Sequence, residues 1–367
     1  MFRLRTKMNF KKKRIIVVIS IITILVGVTV SQAQLQDIEQ IFDTKISHNE
    51  IVNQGIQFVY NENSLEKPSL NIVYYLSLLP ELEKWYNKHP MVEFASLIEN
   101  TITIKFIDGS YTVLMDIFSL FNKHDVGNKE VSYDSTDVYS STALDNAYGQ
   151  TALILNPSEY LYGNRHCRKI INRLMNKDYN IVYLANEDVD LTYVKYNLGA
   201  EIVYMNTHAG YWDIDGDQQA DAVVIGTGEY WTDATEYIHE FEYENQMIVE
   251  GMVGDKSFIA FTPALVEYYY NSSDLPNSLI YLATCFATYD DSMANAFLES
   301  GASAYVGWTQ NTVYWTNSIT SVLAFKLFVR GFTVKQVCRV IRSGGFYNFL
   351  LGSKLTYFGD GDYRISI

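Results

Sequence analysis

Short apolar runs separated by amphipathic stretches recur from residue 148 onward. Thr151–Leu155, Asn180–Leu184, Glu201–Met205, Phe258–Phe261, Ser278–Leu282 and Ala304–Trp308 are each four or five residues long and consist mostly of Val, Ile, Leu, Tyr and Ala. Runs this short, apolar at both alternating sets of positions, predict strands buried on both faces, as in a parallel sheet. Stretches with helical period lie between and after them: Cys167–Asn176, Leu191–Leu198, Met293–Ser300, Thr316–Arg330 and Val334–Arg342. Strand–helix alternation of this kind predicts an α/β fold, a mostly parallel sheet flanked by helices on both faces.

Upstream the pattern differs. Thr101–Ile107 and Ser110–Met115 flank Asp108-Gly109, the signal of a type I′ hairpin. Helical pieces precede the hairpin, so residues 34–121 predict a smaller α+β N-terminal domain. Residues 122–146 are rich in Ser, Asp and Asn and have little periodicity, which predicts a linker ahead of a sheet domain at 147–367. Two roles are open to the N-terminal domain: a prodomain removed by cleavage in the linker, or a permanent structural domain. No internal repeat is evident.

Residues 1–33 stand outside this scheme. Seven Lys and Arg residues lie between Arg3 and Arg14, Ile15–Val30 is uncharged and almost wholly apolar, and Ser31-Gln32-Ala33 supplies small residues for a peptidase. This predicts a signal peptide and a secreted or cell-surface protein. The alternative is an uncleaved signal anchor, the one case in which a membrane is a partner. The apolar run of 16 residues is shorter than the roughly 20 that a spanning helix needs. Removing these seven cations and no anions takes the formal charge from −14 to −21. Such a balance argues against nucleic acid or an anionic membrane as partner. Three cysteines, Cys167, Cys285 and Cys338, are too few for a disulfide scaffold. Their odd number leaves at least one thiol free, and a Cys167–Cys338 bridge is compatible with that count.

Two of the predicted strands end in reactive side chains. Glu201–Met205 leads into Asn206-Thr207-His208-Ala209-Gly210, and Ser278–Leu282 into Ala283-Thr284-Cys285-Phe286-Ala287. The carboxyl edge of a parallel sheet is where open α/β folds place ligands and chemistry. A thiol and an imidazole on one such edge are the parts of a cysteine nucleophile and its base. The alternative is a buried, inert Cys285 and a surface loop residue at His208.

At these residues the chain resembles the caspase-like cysteine peptidases, and within them the clostripain and gingipain branch. That family carries a His-Gly at one strand end and an Ala-x-Cys or similar at a later one. Phe297–Trp308 is similar to the family's helix, Gly-Ala turn and next strand, and Leu355–Asp360 to a Tyr-Gly-Asp segment near the end of gingipain-like domains. The resemblance covers about residues 148–367. It implies a caspase-like domain, an exported cysteine endopeptidase acting on protein or peptide substrates, no required cofactor, and a dyad of Cys285 and His208. In the family, the amide after the His and the amide of the Cys form the oxyanion hole, which points here to the backbone N–H groups of Ala209, Gly210 and Cys285. Ala209 stands where the family has Gly; it keeps the N–H but is strained if the turn requires positive φ. Gingipain-like relatives cleave after a basic residue held by a pocket carboxylate, for which Asp213, Glu229 and Asp290 are candidates. The alternative from another class is a catalytically inactive surface protein that uses the same fold for binding or adhesion.

The segment after His208 carries a further pattern. Asp213, Asp215, Asp217 and Asp221 occupy relative positions 1, 3, 5 and 9. This resembles the calcium loops of FG-GAP-type repeats, in which alternate side chains converge on one hard cation. It departs from an EF-hand, because Gly216 comes early and Val224 occupies position 12. A structural Ca2+ site and an acidic turn held by its own Asx hydrogen bonds are both open. His239 lacks a second ligand at helical spacing, which argues against zinc. Cys167 sits beside His166, Arg165 and Arg168, a setting that lowers a thiol pKa, but it opens a predicted helix and is assigned a structural role. Cys338 is assigned to the core.

Overall fold

In the computed structural model the described residues are 48–59, 72–116, 150–344 and 352–367. The basic and apolar segment at 1–33 and the expected linker at 122–146 lie outside them. The chain divides into two compact units, Met1–Gln54 and Gly55–Ile367. Among the described residues all of the strands belong to the second. They are β1 (Val92–Ile98), β2 (Thr101–Phe106), β3 (Tyr111–Asp116), β4 (Thr151–Asn156), β5 (Asn180–Ala185), β6 (Ile202–Asn206) and β7 (Ala209–Trp212), then β8 (Ala222–Tyr230), β9 (Ile248–Val253), β10 (Lys256–Phe261), β11 (Leu279–Ala283), β12 (Ala304–Trp308) and β13 (Leu355–Gly359).

These strands form a mixed α/β structure with two sheets. The first has the order β5-β4-β6-β11-β12-β13 and is parallel throughout except for β13. Its strands send alternate residues to two different cores. Leu153, Leu155, Val203, Met205, Ile280 and Leu282 enter one; Ala152, Ile154, Ile202, Tyr204, Leu279 and Tyr281 enter the other. Burial on both faces is why these runs are apolar at every position. Helices Arg165–Met175, Tyr314–Phe328 and Val334–Ser343 cover one face, and Leu191–Tyr196, Pro263–Tyr269 and Ser292–Glu299 the other. At about 1.5–3 kcal/mol for each fully buried large apolar side chain, against roughly 0–1 kcal/mol for a surface ion pair, these faces rather than surface charge decide the fold.

The second sheet has the order β1-β2-β3-β9-β10-β8-β7, antiparallel except where β3 runs parallel to β9. It curls until β7 lies against β2 and β3. The Thr103 hydroxyl donates to Tyr211 O (3.1 Å) and accepts from the Asp213 N–H (3.2 Å), and the Tyr111 hydroxyl donates to Ile214 O at 2.8 Å. Val113, Met115, Trp212, Val224, Val249 and Phe258 fill the inside of the curl. Phe258–Phe261, grouped by its pattern with the parallel strands, lies in this sheet instead. The reason is a hairpin that apolar periodicity does not reveal: Gly254, at φ +64°, and Asp255 turn β9 back onto β10.

The second sheet also joins residues on either side of the expected linker, since β1–β3 precede it and β7–β10 follow it. The sequence boundary is therefore not a boundary between sheets. Among the described residues no helix is long and apolar enough to cross a membrane.

The β3–β9 pairing yields a test. A chain beginning at residue 150 would leave the mid-sheet strand β9 with a bare edge and the curl without Val113 and Met115, so it should lose cooperative thermal unfolding and aggregate. A chain cut once within 122–146 should keep both pieces together on gel filtration. A truncated chain that melts cooperatively as a monomer would contradict this.

Candidate active site

In the first sheet β6 and β11 are adjacent and parallel, with Asn206 opposite Ala283. His208 and Cys285 each follow two residues beyond this pair, at the carboxyl edge, on strands about 4.8 Å apart. The strand order reverses between β4 and β6, so this edge is also the topological switch point. After His208 the chain enters β7 of the second sheet. After Cys285 it turns sharply, with Phe286 at φ +58°. A bulky residue in the left-handed region costs about 1–3 kcal/mol. Burial of the Phe286 ring offsets that cost: it is 1% exposed and 4.6 Å from the Tyr211 ring of β7. Tyr211 also meets Tyr289 at 4.4 Å. One aromatic cluster thus fixes the turn after Cys285 against the strand after His208.

Cys285 is half-buried. The Thr312 N–H donates to its Sγ at 3.3 Å, and Sγ lies 3.5 Å from Thr312 O. An amide N–H aimed at sulfur solvates negative charge there. The backbone of His208 is held against β8, because its carbonyl accepts from the Gly226 N–H at 2.9 Å and the neighbouring Thr207 hydroxyl donates to Gly226 O at 2.6 Å. The His208 ring lies 5.6 Å from Tyr162, which stacks on Tyr314 at 4.1 Å.

The amides expected to bind an oxyanion differ in their availability. In an antiparallel ladder, hydrogen-bonded and open pairs alternate. The Gly226–His208 bond makes Ala209–Ile225 an open pair and commits the Gly210 N–H to Val224. The Ala209 N–H points away from β8. Ala209 is not among the residues at positive φ, so replacement of a glycine there brings no backbone strain.

Beneath the two strand ends a chain of buried amides crosses the sheet. Trp308 Nε1 donates to Asn317 Oδ1 at 3.0 Å. Asn317 Nδ2 donates to Ala283 O at 2.7 Å and faces Asn206 Oδ1 at 3.4 Å. Asn206 Nδ2 donates to Asn156 Oδ1 at 2.8 Å, and Asn156 Nδ2 lies 3.3 Å from Gly163 O and 3.4 Å from the Tyr183 hydroxyl. None of these three asparagines stood out in the sequence.

Other residues singled out by sequence have structural partners. All three cysteines are free thiols, so Cys167 and Cys338 are not bridged. Cys167 Sγ lies 3.2 Å from His166 Nε2, but burial pushes its thiol upward and lowers His166 to about 4, which leaves the pair neutral and inert. Burial pushes the Cys338 thiol up to about 12. Of the proposed specificity carboxylates, Asp213 is fully buried and accepts from the Gly216 and Gln218 N–H groups. Glu229 accepts from the Leu191 N–H and pairs with His239 at 3.2 Å. Asp290 accepts from the Ser292 N–H and hydroxyl. His239 sits in a cluster with Glu229, Glu242 and Lys195, whose Nζ lies 2.8 Å from Glu242 and supplies the positive charge.

Asp213, Asp215 and Asp221 each bring an oxygen within 4.8 Å of the others, the one such group among the described residues. Asp217 is not part of it; its carboxylate accepts from the Gln219 backbone and side chain at 2.8 Å. Where a cleft does open, sequence had pointed only to Tyr230, as either a subsite or a core residue. A cavity of about 310 Å3 lies at the carboxyl end of β5, with Glu187 and Asp188 on its wall. Tyr160 borders both this cleft and a small cavity against His208. The cleft depends on Gly228, where a Cβ would fall 1.7 Å from Asn186 O.

No family profile matches the chain, and no curated protein does. Among solved structures, one titled "Complex of Porphyromonas gingivalis RgpB pro- and mature domains" is similar over 59% of this chain and 49% of that one, at 13% identity and a TM-score of 0.37. This chain thus spans about half the length of that one. A likeness this slight transfers no residue roles.

The Glu229–His239 contact predicts a pH dependence. Burial raises the Glu229 pKa, but hydrogen bonds from His239 and the Leu191 N–H outweigh it and hold the carboxyl below its ordinary 4.5. A lowered folded pKa contributes stability above about pH 4.5, and this is lost as pH falls through the folded value. Glu229→Gln should therefore cost about 1–2 kcal/mol near neutral pH and flatten the acid side of the stability profile. Urea midpoints across pH check this; parallel profiles for the two proteins would contradict it.

Proposed function

We propose that this protein is a cysteine endopeptidase of caspase-like architecture, with Cys285 as nucleophile and His208 as its base. The observation that carries the reading is the register of β6 and β11: Asn206 opposes Ala283, so an imidazole and a thiol leave the same edge of one sheet at matching positions on adjacent strands. His208 takes the thiol proton, and the sulfur attacks the scissile carbonyl, whose π electrons move to oxygen. The imidazolium then protonates the leaving amine as the C–N bond breaks. Water, giving its proton to the imidazole, cleaves the thioester and restores the thiol. The N–H groups of Cys285 and Ala209 hold the oxyanion; Gly210 does not, because its N–H belongs to the β7–β8 ladder. The cleft beside Tyr160 receives a substrate side chain against Glu187 and Asp188, which fits the basic residue that the family resemblance implies. The signal-like segment at 1–33 fits work outside the cell on protein or peptide substrates.

Cys285→Ala should abolish peptide hydrolysis with an unchanged circular dichroism spectrum. His208→Ala should lower kcat/KM by about 10²–10⁴-fold, the usual contribution of a positioned acid–base. Full activity in either variant would sink the mechanism.

Asp213, Asp215 and Asp221 are further proposed as a structural calcium site that orders the loop after β7. Calcium should raise the melting temperature by mass action, and Asp215→Ala should erase the difference. Identical melting with calcium and with chelator would retire this site.

A further inference from the structure

The amide chain beneath the strand ends has a direction, and that direction is fixed by chemistry. The Trp308 indole N–H only donates, and the Ala283 carbonyl only accepts. Asn317, 4% exposed, joins them through its two ends, so its amide has one possible orientation. Asn206, 2% exposed, continues in the same sense to Asn156. The chain therefore spans the carboxyl ends of β12, β11, β6 and β4, and through Tyr183 it reaches β5. It enters at Ala283 and Asn206, the last paired residues before the segments that carry Cys285 and His208.

We infer that Asn317 is a positioning residue for the reacting pair. It fixes how far β11 and β6 extend relative to one another where they hand over to Cys285 and His208. Backbone pairing alone does not do this, because the two strands are paired only up to Asn206 and Ala283. Past that pair the contacts with Gly226, Thr312 and the Tyr211–Phe286 cluster take over, and the last pair itself is bound through the carbonyl of Ala283 and the side chain of Asn206. Asn317 holds both. It comes from helix Tyr314–Phe328, whose N-cap Val313 follows Thr312, the residue whose N–H points at Cys285 Sγ. One segment thus contacts the nucleophile through its backbone and levels the strand ends through its side chain.

This assignment rests on the reading of Cys285 and His208 as a reacting pair, and the test separates the two. The rate of Cys285 alkylation by iodoacetamide is followed against pH by mass spectrometry, which requires no turnover. Wild type, His208→Ala, Asn317→Leu and Trp308→Phe are compared, with Val337→Ala as a core variant in a helix outside the rim. The inference expects the Asn317→Leu profile to move from that of wild type toward that of His208→Ala. It also expects kcat on a peptide substrate to fall by about tenfold or more with little change in KM, since small misplacements of reacting groups cost this much. Trp308→Phe, which loses the orienting N–H together with part of the buried ring volume, should shift in the same direction by less. Val337→Ala should lower the melting temperature and leave the profile in place. If Asn317→Leu and Trp308→Phe both keep the wild-type profile while His208→Ala does not, the role of Asn317 is overturned and the dyad stands. If His208→Ala itself matches wild type, the dyad is overturned, and the role of Asn317 with it.

Discussion

The pairing of β6 with β11 is the constraint on which the rest of this structure depends. Both strands are buried on both faces, and alternate residues feed two separate cores. A slip of one residue by either strand would turn that strand's side chains to the opposite face. Tyr204 or Tyr281, both fully buried beside Phe325, would then face the core that now takes Val203 and Ile280. The packing of the first sheet and the arrival of His208 and Cys285 at matching positions on its carboxyl edge are thus the same fact. Side chains far from the reactive edge determine what meets at it.

The second sheet supplies what the first cannot. A parallel strand ends at its carboxyl edge and leaves the following residues to a loop. Here the residues after His208 enter β7, so the His208 backbone is held by β8 and the curl is closed through Thr103 and Tyr111. Tyr211 of β7 then packs on Phe286 and Tyr289 and fixes the strained turn after Cys285. The strain at Phe286 persists because its surroundings over-determine it. The segment before residue 117 takes part in this arrangement through β2 and β3.

Much of this could be read from sequence, and the exceptions share a cause. The parallel strands were legible because burial on both faces leaves continuous apolar runs such as Leu279–Ala283. The strand-end positions of His208 and Cys285 were legible because each follows such a run directly. The hairpin of β9 and β10 was not, since a short apolar run does not state its direction and the Gly254-Asp255 turn has to be weighed with it. Asn156, Asn206 and Asn317 were invisible for another reason: they lie far apart in the chain, and each alone reads as a turn or cap residue. The loop carboxylates were read as a set from spacing, but Asp217 turns to Gln219, because Asx hydrogen bonds compete locally with convergence. The different ladder positions of the Ala209 and Gly210 N–H groups were not legible either, because ladder alternation is set by the partner strand and cannot be counted from one strand.

The central proposal is that Cys285 is the reactive thiol and His208 its base, whereas Cys167 and Cys338 are inert through burial. Reaction of the folded protein with a peptide-linked thiol electrophile, followed by peptide mapping, tests it most directly. The account predicts one adduct, on Cys285, formed far more slowly in His208→Ala and joined by adducts on Cys167 and Cys338 only after unfolding. Equal labelling of Cys285 with and without His208, or no selective labelling of the folded chain, would contradict it.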